Sequence, residues 1–104
     1  MGKRPRHKPR RLGKKLQQIR HAQGLSQTQI LKEMGLEGKY ERNNLSNFET
    51  NKREPPMIIV LGYARLAGID ANLILDDKAQ LPKEILIASR TSQATKKREQ
   101  SKKR

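Results

Sequence analysis

The segment ERNNLSNFETN, residues 41–51, concentrates side-chain amides where a helix would otherwise be simply amphipathic. Leu45 and Phe48 stand at helical spacing, and asparagine disfavours helix because its amide competes for backbone hydrogen bonds. The same amide places a donor beside an acceptor, which matches the edge of adenine, as an arginine matches guanine. The pattern indicates a helix whose exposed face makes polar contacts with a ligand. The asparagines are Asn43, Asn44, Asn47 and Asn51.

The charge of the chain predicts the chemical class of that ligand. The 104 residues have a formal net charge of +14. Residues 1–15 contain eight basic residues and no acidic one, and residues 78–104 contain nine basic and two acidic residues. Neither end has the apolar face of a membrane-binding amphipathic helix. We therefore expect a polyphosphate partner, of which nucleic acid is the commonest, and no membrane partner.

Other functional classes find little support in the residues. The chain has no cysteine, and its two histidines, His7 and His21, lie apart, so we expect no metal site and no cofactor. The ten acidic residues are scattered, and no nucleophile, base and orienting group can be assembled, so we expect no enzyme. The longest apolar run, MIIVL, is too short to span a bilayer, and the N-terminus lacks an apolar signal core. These features predict a cytoplasmic protein.

The apolar spacing predicts an all-α domain of five short helices. Leu12, Leu16, Ile19 and Ala22 form one helical face that ends at Gly24. A second helix begins after Ser26 as its N-cap and ends at Gly35, and the asparagine-rich helix spans about 42–50. Asn51 suits the left-handed conformation that closes this helix.

Two further helices complete the domain, and basic segments flank it. Pro55 and Pro56 suit the start of a fourth helix over about 57–67, which Gly68 ends, and Asp70 caps a short fifth helix. After Asp77 the apolar signal fades, although LPKEILIASR could hold one further turn or helix. The predicted organisation is a basic disordered arm over 1–11, a domain over 12–77 and a basic, mostly disordered tail over 78–104.

The stretches LGKKLQQIRHAQGLSQTQI, NLSNFETNKREPP and LGYARLAGIDANLIL occur in an order that is similar to a known family. Residues 12–77 resemble the XRE-type, lambda-repressor-like helix-turn-helix domains of bacterial and phage regulators. The resemblance implies a five-helix domain that binds double-stranded DNA sequence-specifically, places one helix in the major groove and regulates transcription. It also implies a location on the nucleoid.

The resemblance assigns roles to individual positions of this chain. Gln27 matches a contact with a phosphate, and Lys52 and Arg53 match a loop that contacts the backbone. Arg20 and Glu49 match an ion pair between the first and third helices. The positions that match base contacts are Arg42, Asn43, Asn44, Ser46 and Asn47.

Several alternatives stay open at the level of sequence. The chain could be an RNA-binding or ribosome-associated protein whose helical domain separates two basic ends, although scarce aromatic residues disfavour stacking on single strands. The asparagines could be merely solvated, and Arg20 and Glu49 unpaired. MIIVLGY has more apolar positions than one amphipathic helix needs, so Ile58 and Ile59 belong either to the core or to a partner-binding patch. Such a patch would bind a second copy of the chain or another protein through the fourth and fifth helices.

Overall fold

The protein is described by a computed structural model that covers residues 10–91. This range contains six helices and no β-strand. The five predicted helices are confirmed, and a sixth, α6 over residues 83–91, lies in the segment assigned to the tail. The others are α1 (Leu12–Ala22), α2 (Gln27–Glu33), α3 (Arg42–Glu49), α4 (Met57–Ala67) and α5 (Asn72–Leu75).

Most of the residues predicted to start and stop the helices do so, but the N-cap of α5 is Ala71 and not Asp70, which accepts from the Asn72 amide at 2.9 Å. The Ser26 hydroxyl accepts a hydrogen bond from the backbone amide of Gln29 at 3.1 Å, and the Gln29 side chain accepts from the Ser26 amide at 2.8 Å. This reciprocal capping box fixes the start of α2. Asn51 is left-handed with φ 62°, and Gly68 closes α4 with φ 69°. Helix α4 starts directly after Pro56, which has no amide hydrogen to contribute.

One apolar core unites the helices. Leu45 and Phe48 of α3 are buried in it, as the helical spacing predicts, and Tyr63 of α4 is fully buried. The ring of Tyr40, in the turn before α3, packs edge-on against Phe48 with centroids 6.3 Å apart. Core side chains therefore fix the rotation of α3 about its own axis. The remaining buried apolar residues are Leu12, Leu16, Ile19, Ile30, Leu31, Leu36, Ile59, Val60, Ala64, Ile74 and Leu81.

The packed part of the chain continues past the predicted boundary at residue 77. Leu81 is buried, and Ile85 and Leu86 of α6 pack against the same core. The sequence suggested only a marginal helix here because the apolar residues are few and the surrounding charges are dense. Core burial supplies the stability that the local sequence lacks. Core packing among the described residues therefore extends beyond residue 77, while the predicted domain range 12–77 stays a prediction.

Lys15 belongs to the basic N-terminal segment in sequence, but its side chain is buried in the fold. The side chain is 2% exposed, so its charge is not available to a partner at the surface as the charge of the first fifteen residues suggests. Its ammonium group donates to the carbonyl oxygens of Leu73 and Asp76, both at 2.7 Å, and of Ala79 at 2.9 Å. Lys15 thus satisfies carbonyls at the end of α5 and holds this segment against α1.

The two residues before α1 are also attached to the domain. The backbone amides of Arg10 and Arg11 donate to the Asp77 carboxylate at 2.8 and 3.1 Å. The rest of the predicted arm, residues 1–9, and the end of the predicted tail, residues 92–104, lie outside the described residues. Within residues 10–91, no helix has the length and apolar character needed to cross a membrane.

Candidate nucleic-acid interface

The inner side of α3 is organised around one buried carboxylate, that of Glu49. The Arg20 guanidinium binds it in a two-pronged arrangement, with Nε 2.8 Å from Oε2 and Nη2 2.9 Å from Oε1. The predicted ion pair between α1 and α3 is therefore confirmed. Arg20 also donates to the Leu25 carbonyl at 3.0 Å, which connects the pair to the turn before α2.

Two further donors complete the surroundings of Glu49. The Tyr63 hydroxyl donates to Oε2 at 2.8 Å, and the Gln27 amide nitrogen donates to Oε1 at 3.2 Å. Burial raises the pKa of the Tyr63 hydroxyl far above its ordinary value, and the adjacent Glu49 charge adds to this rise. Glu49 thus joins α3 to α1, α2 and α4, and the position of α3 is set on three sides.

Gln27 lies at the first turn of α2, half-buried beside Glu49. Its amide nitrogen is held by the carboxylate, so the side chain has a fixed direction at the junction of α2 and α3. The phosphate contact implied for Gln27 stays a prediction. Nothing in the sequence spacing of Gln27 and Tyr63 relates them to Glu49, so these two contacts could not be predicted from the residues alone.

The outer side of α3 has a different character. Arg42 and Asn43 are exposed, and Ser46 and Asn47 are half-exposed. Within residues 10–91, the side chains of Asn43 and Asn47 make no hydrogen bond. Glu49 is the only acidic residue of α3, and because it is buried the outer side carries no negative charge from this helix.

Two exposed cations follow α3 directly. The backbone amides of Lys52 and Arg53 both donate to the Asn47 carbonyl, at 2.9 and 3.1 Å. These bonds close the helix and keep both residues at its C-terminal end, on the edge of the outer side. Asn43 and Asn47 lie one turn apart on the outer side, and Lys52 and Arg53 follow at the C-terminal end of the helix. We name these four residues, together with Arg42 and Ser46, the α3 face.

Two asparagines of the opening segment have structural roles. The Asn44 side-chain oxygen accepts from the backbone amide of Glu41 at 2.8 Å, which caps the start of α3. The Asn51 oxygen accepts from the Gly13 amide at 3.1 Å, and its nitrogen donates to the Arg10 carbonyl at 3.0 Å. Asn44 is half-buried, and its side-chain oxygen already accepts one hydrogen bond within the protein. The base contact implied for Asn44 stays a prediction.

Gly13 is the point where α1 packs tightly against the C-terminal end of α3. A Cβ atom there would stand 2.7 Å from the Asn51 side-chain oxygen, 2.7 Å from the Glu49 carbonyl and 2.8 Å from the Phe48 carbonyl. Two of these neighbours are backbone atoms, so only glycine fits. Glycine is a poor helix former, and this contact explains why a glycine stands within α1 at position 13.

Comparisons of the chain with protein-family models, with curated proteins and with solved structures gave no match. Among residues 10–91, no three histidine, cysteine or carboxylate side chains are grouped so as to hold a metal ion. What the geometry offers is a rigidly supported helix that presents amides and cations on a surface free of acidic side chains from that helix. Such a surface can form bidentate hydrogen bonds and bind anions.

Proposed function

We propose that the chain binds double-stranded DNA sequence-specifically and regulates transcription, with a lambda-repressor-like helix-turn-helix formed by α2 and α3. In this proposal α3 enters the major groove. The α3 face then reads base edges through Asn43, Asn47, Ser46 and Arg42, while Lys52, Arg53 and Gln27 contact the backbone. Its natural site of action is the nucleoid in the cytoplasm.

The observation that carries the proposal is the contrast between the two sides of α3. On its inner side, the Glu49 carboxylate accepts hydrogen bonds from Arg20, Gln27 and Tyr63. On its outer side, the amides of Asn43 and Asn47 form no side-chain hydrogen bond with another described residue. Asn43 and Asn47 are four residues apart, so they lie one turn apart on one face. The major groove admits an α-helix, and an amide that lies there can bond both the N6 and N7 positions of adenine.

Charge supports a nucleic-acid partner independently of α3. Residues 1–9 contain four basic residues and no acidic one, and residues 92–104 contain six basic residues and one acidic one. If the protein neutralises six to ten phosphates, its affinity falls roughly 10³- to 10⁵-fold between about 50 and 200 mM salt. A variant that lacks residues 1–9 and 92–104 keeps all six helices, and we expect it to show a flatter salt dependence with the same site preference.

Competition between nucleic acids tests the proposal directly. A labelled duplex selected from bound genomic fragments is displaced, at moderate salt, by unlabelled duplex DNA, folded RNA and single-stranded DNA. We expect unlabelled duplex of the selected sequence to compete far better than duplex of scrambled sequence, folded RNA or single-stranded DNA. Equal competition by scrambled duplex would refute sequence-specific binding, and stronger competition by folded RNA would favour an RNA-binding protein instead.

A further inference from the structure

A second basic surface lies on another part of the domain. A cavity of about 230 Å³ opens between α1 and α6. Arg11, Lys14 and Arg90 line it together with the amide side chains of Gln18 and Gln80. None of the described residues that line the cavity is acidic. We name these five residues the α1–α6 site.

The walls of this cavity are held in place by the core. Leu81 is buried and Leu86 is half-buried beneath it. Lys15 fixes the segment before Gln80 to α1 through its three carbonyl bonds, the last of which is to Ala79. The cavity therefore exists in the folded domain before any ligand arrives, which lowers the entropic cost of binding.

Positive charge is concentrated among the residues that line the cavity. Lys14 and Arg90 form no hydrogen bond or ion pair through their side chains with another residue of 10–91. Asp77 lies beside Arg11: its carboxylate accepts from the backbone amides of Arg10 and Arg11, and its backbone carbonyl accepts from Nη1 of Arg11 at 3.2 Å. Burial lowers the pKa of the neighbouring Lys15, and the Arg11 charge lowers it further, while the charges of Asp77 and Asp76 act in the opposite direction.

The α1–α6 site is separate from the α3 face. Gly13 and Arg20 mark the side of α1 that contacts α3. At about 100° per residue, Lys14 and Gln18 are rotated from Gly13 by roughly 100° and 140° around the helix. A duplex docked on α3 would therefore meet these residues only along the flank of the domain.

We propose that the α1–α6 site binds a phosphate group. A guanidinium pairs with two phosphate oxygens at once, an ammonium supplies a point charge, and the two amides donate hydrogen bonds to the remaining oxygens. The volume is several times the roughly 30 Å³ that one water molecule occupies, so a phosphate or diphosphate group fits. The group could belong to a free anion or to a nucleic-acid backbone, and the proposal does not depend on how α3 functions.

Titration of the ¹⁵N-labelled full chain with pyrophosphate, at constant ionic strength, tests this proposal. The backbone amide signals of Gln18, Gln80 and Arg90 report on the cavity separately from the basic ends. We expect a saturable shift of these signals. We also expect Lys14→Gln and Arg90→Gln each to weaken the affinity roughly three- to tenfold, as for the loss of one charge-assisted hydrogen bond at a partly exposed site.

Two control variants remove the same charge elsewhere. Lys32→Gln in α2 and Arg65→Gln in α4 change exposed cations that do not line the cavity, and both should leave the affinity unchanged. Lys14 and Arg90 are themselves exposed, so their variants should fold, and the dispersion of the spectrum verifies it. A shift that does not saturate, or one that all four variants weaken alike, would overturn the proposal.

Whether the phosphate belongs to a nucleic-acid backbone or to a free anion is decided by measuring how the same variants bind duplex DNA. If the nucleic-acid backbone supplies it, Lys14→Gln weakens binding to every duplex alike, and pyrophosphate competes with DNA. If a free anion supplies it, Lys14→Gln weakens pyrophosphate binding and leaves the affinity for duplex unchanged. The cavity assay on the isolated chain does not involve DNA, so its failure is distinct from a failure of the α3 proposal.

Discussion

Both sides of α3 carry polar side chains, but these are opposite in how they are bonded. On the inner side, Glu49 accepts four hydrogen bonds from three other helices. On the outer side, Asn43 and Asn47 have no side-chain bond within residues 10–91. A buried polar group must be satisfied within the protein, whereas an exposed one exchanges water for a ligand. The bonding state of their polar groups therefore distinguishes the supporting side of this helix from the side available for recognition.

The largest expected effect follows from the removal of the inner carboxylate. Glu49→Ala leaves the buried guanidinium of Arg20 without its counter-charge, and the Tyr63 hydroxyl without its acceptor. The cost of an uncompensated buried charge is roughly 3–5 kcal/mol in the free energy of unfolding. Urea denaturation followed by circular dichroism measures it, with Glu49→Gln as the control that retains shape and loses charge.

A double-mutant cycle shows whether the loss belongs to the ion pair. Arg20→Ala, Glu49→Ala and the double variant should give strongly non-additive changes in unfolding free energy, since the second truncation removes a charge that the first left unpaired. If the two changes add within about 0.5 kcal/mol, Arg20 does not stabilise α3 through Glu49.

Gly13→Ala tests how closely the inner side of α3 is fitted to α1. The new methyl group would meet two backbone carbonyls and the Asn51 side chain at under 3 Å. We expect a loss of roughly 1–3 kcal/mol, toward the upper end because backbone atoms cannot move aside easily. Thermal and urea unfolding both report it. Gly38→Ala is a matched control, because no atom lies within 4 Å of its Cβ position and the variant should unfold like the wild type.

On the outer side, Asn47→Ala should alter binding and leave stability unchanged. Loss of one bidentate contact costs about 1–3 kcal/mol at the cognate base pair, which we expect to contain adenine, and little at other positions. A panel of duplexes with single base-pair changes measures this. Lys52→Ala should instead weaken all duplexes alike and reduce the salt slope by about 0.9.

The two variants must differ for the α3 face to read sequence. If Asn47→Ala weakens every duplex equally, as Lys52→Ala is expected to do, then the outer side contacts only the backbone. Arg42→Ala and Asn43→Ala, measured on the same panel, would show whether the first turn of α3 behaves like Asn47 or like Lys52.

The smallest effect is a dependence on pH that comes from the inner side. Tyr63→Phe should cost about 1 kcal/mol at pH 9, because it removes one buried hydrogen bond to Glu49. An unfolded tyrosine ionises near 10.0, whereas burial keeps Tyr63 protonated well above that pH. The folded chain therefore binds more protons than the unfolded chain above pH 10, and stability falls there by up to about 1.4 kcal/mol per pH unit.

Unfolding free energies at pH 9, 10 and 11 check the sign. The advantage of the wild type over Tyr63→Phe should be full at pH 9 and gone by about pH 11. An advantage that is constant over this range would show that Tyr63 ionises equally in both states, contrary to its burial.

Local rules predicted those parts of the fold that depend on local chemistry. Ser26 caps α2, Asn51 is left-handed and α4 starts after Pro56, since each follows from backbone geometry alone. The burial of Leu45 and Phe48 followed from helical spacing. The ion pair of Arg20 with Glu49 did not follow from local rules. The two residues are 29 positions apart, and only the resemblance to a family paired them.

The parts that were missed depend on contacts between distant segments. Lys15 looks like any other member of a basic cluster, and its burial depends on carbonyl groups about 60 residues away. Helix α6 has weak local signals and is stabilised by the core. Asn44 and Asn51 could not be told from Asn43 and Asn47, because a composition of four asparagines contains no information on which amides already have partners.

Asn51 meets three demands at once, and this restricts what evolution can place there. Its backbone is left-handed, its oxygen accepts from Gly13 and its nitrogen donates to Arg10. Glycine keeps the backbone and loses both bonds, whereas aspartate keeps the acceptor and loses the donor. In a library randomised at positions 43, 47 and 51 and selected only for folding, position 51 should return almost entirely as asparagine. Positions 43 and 47 should drift freely until selection for binding is applied.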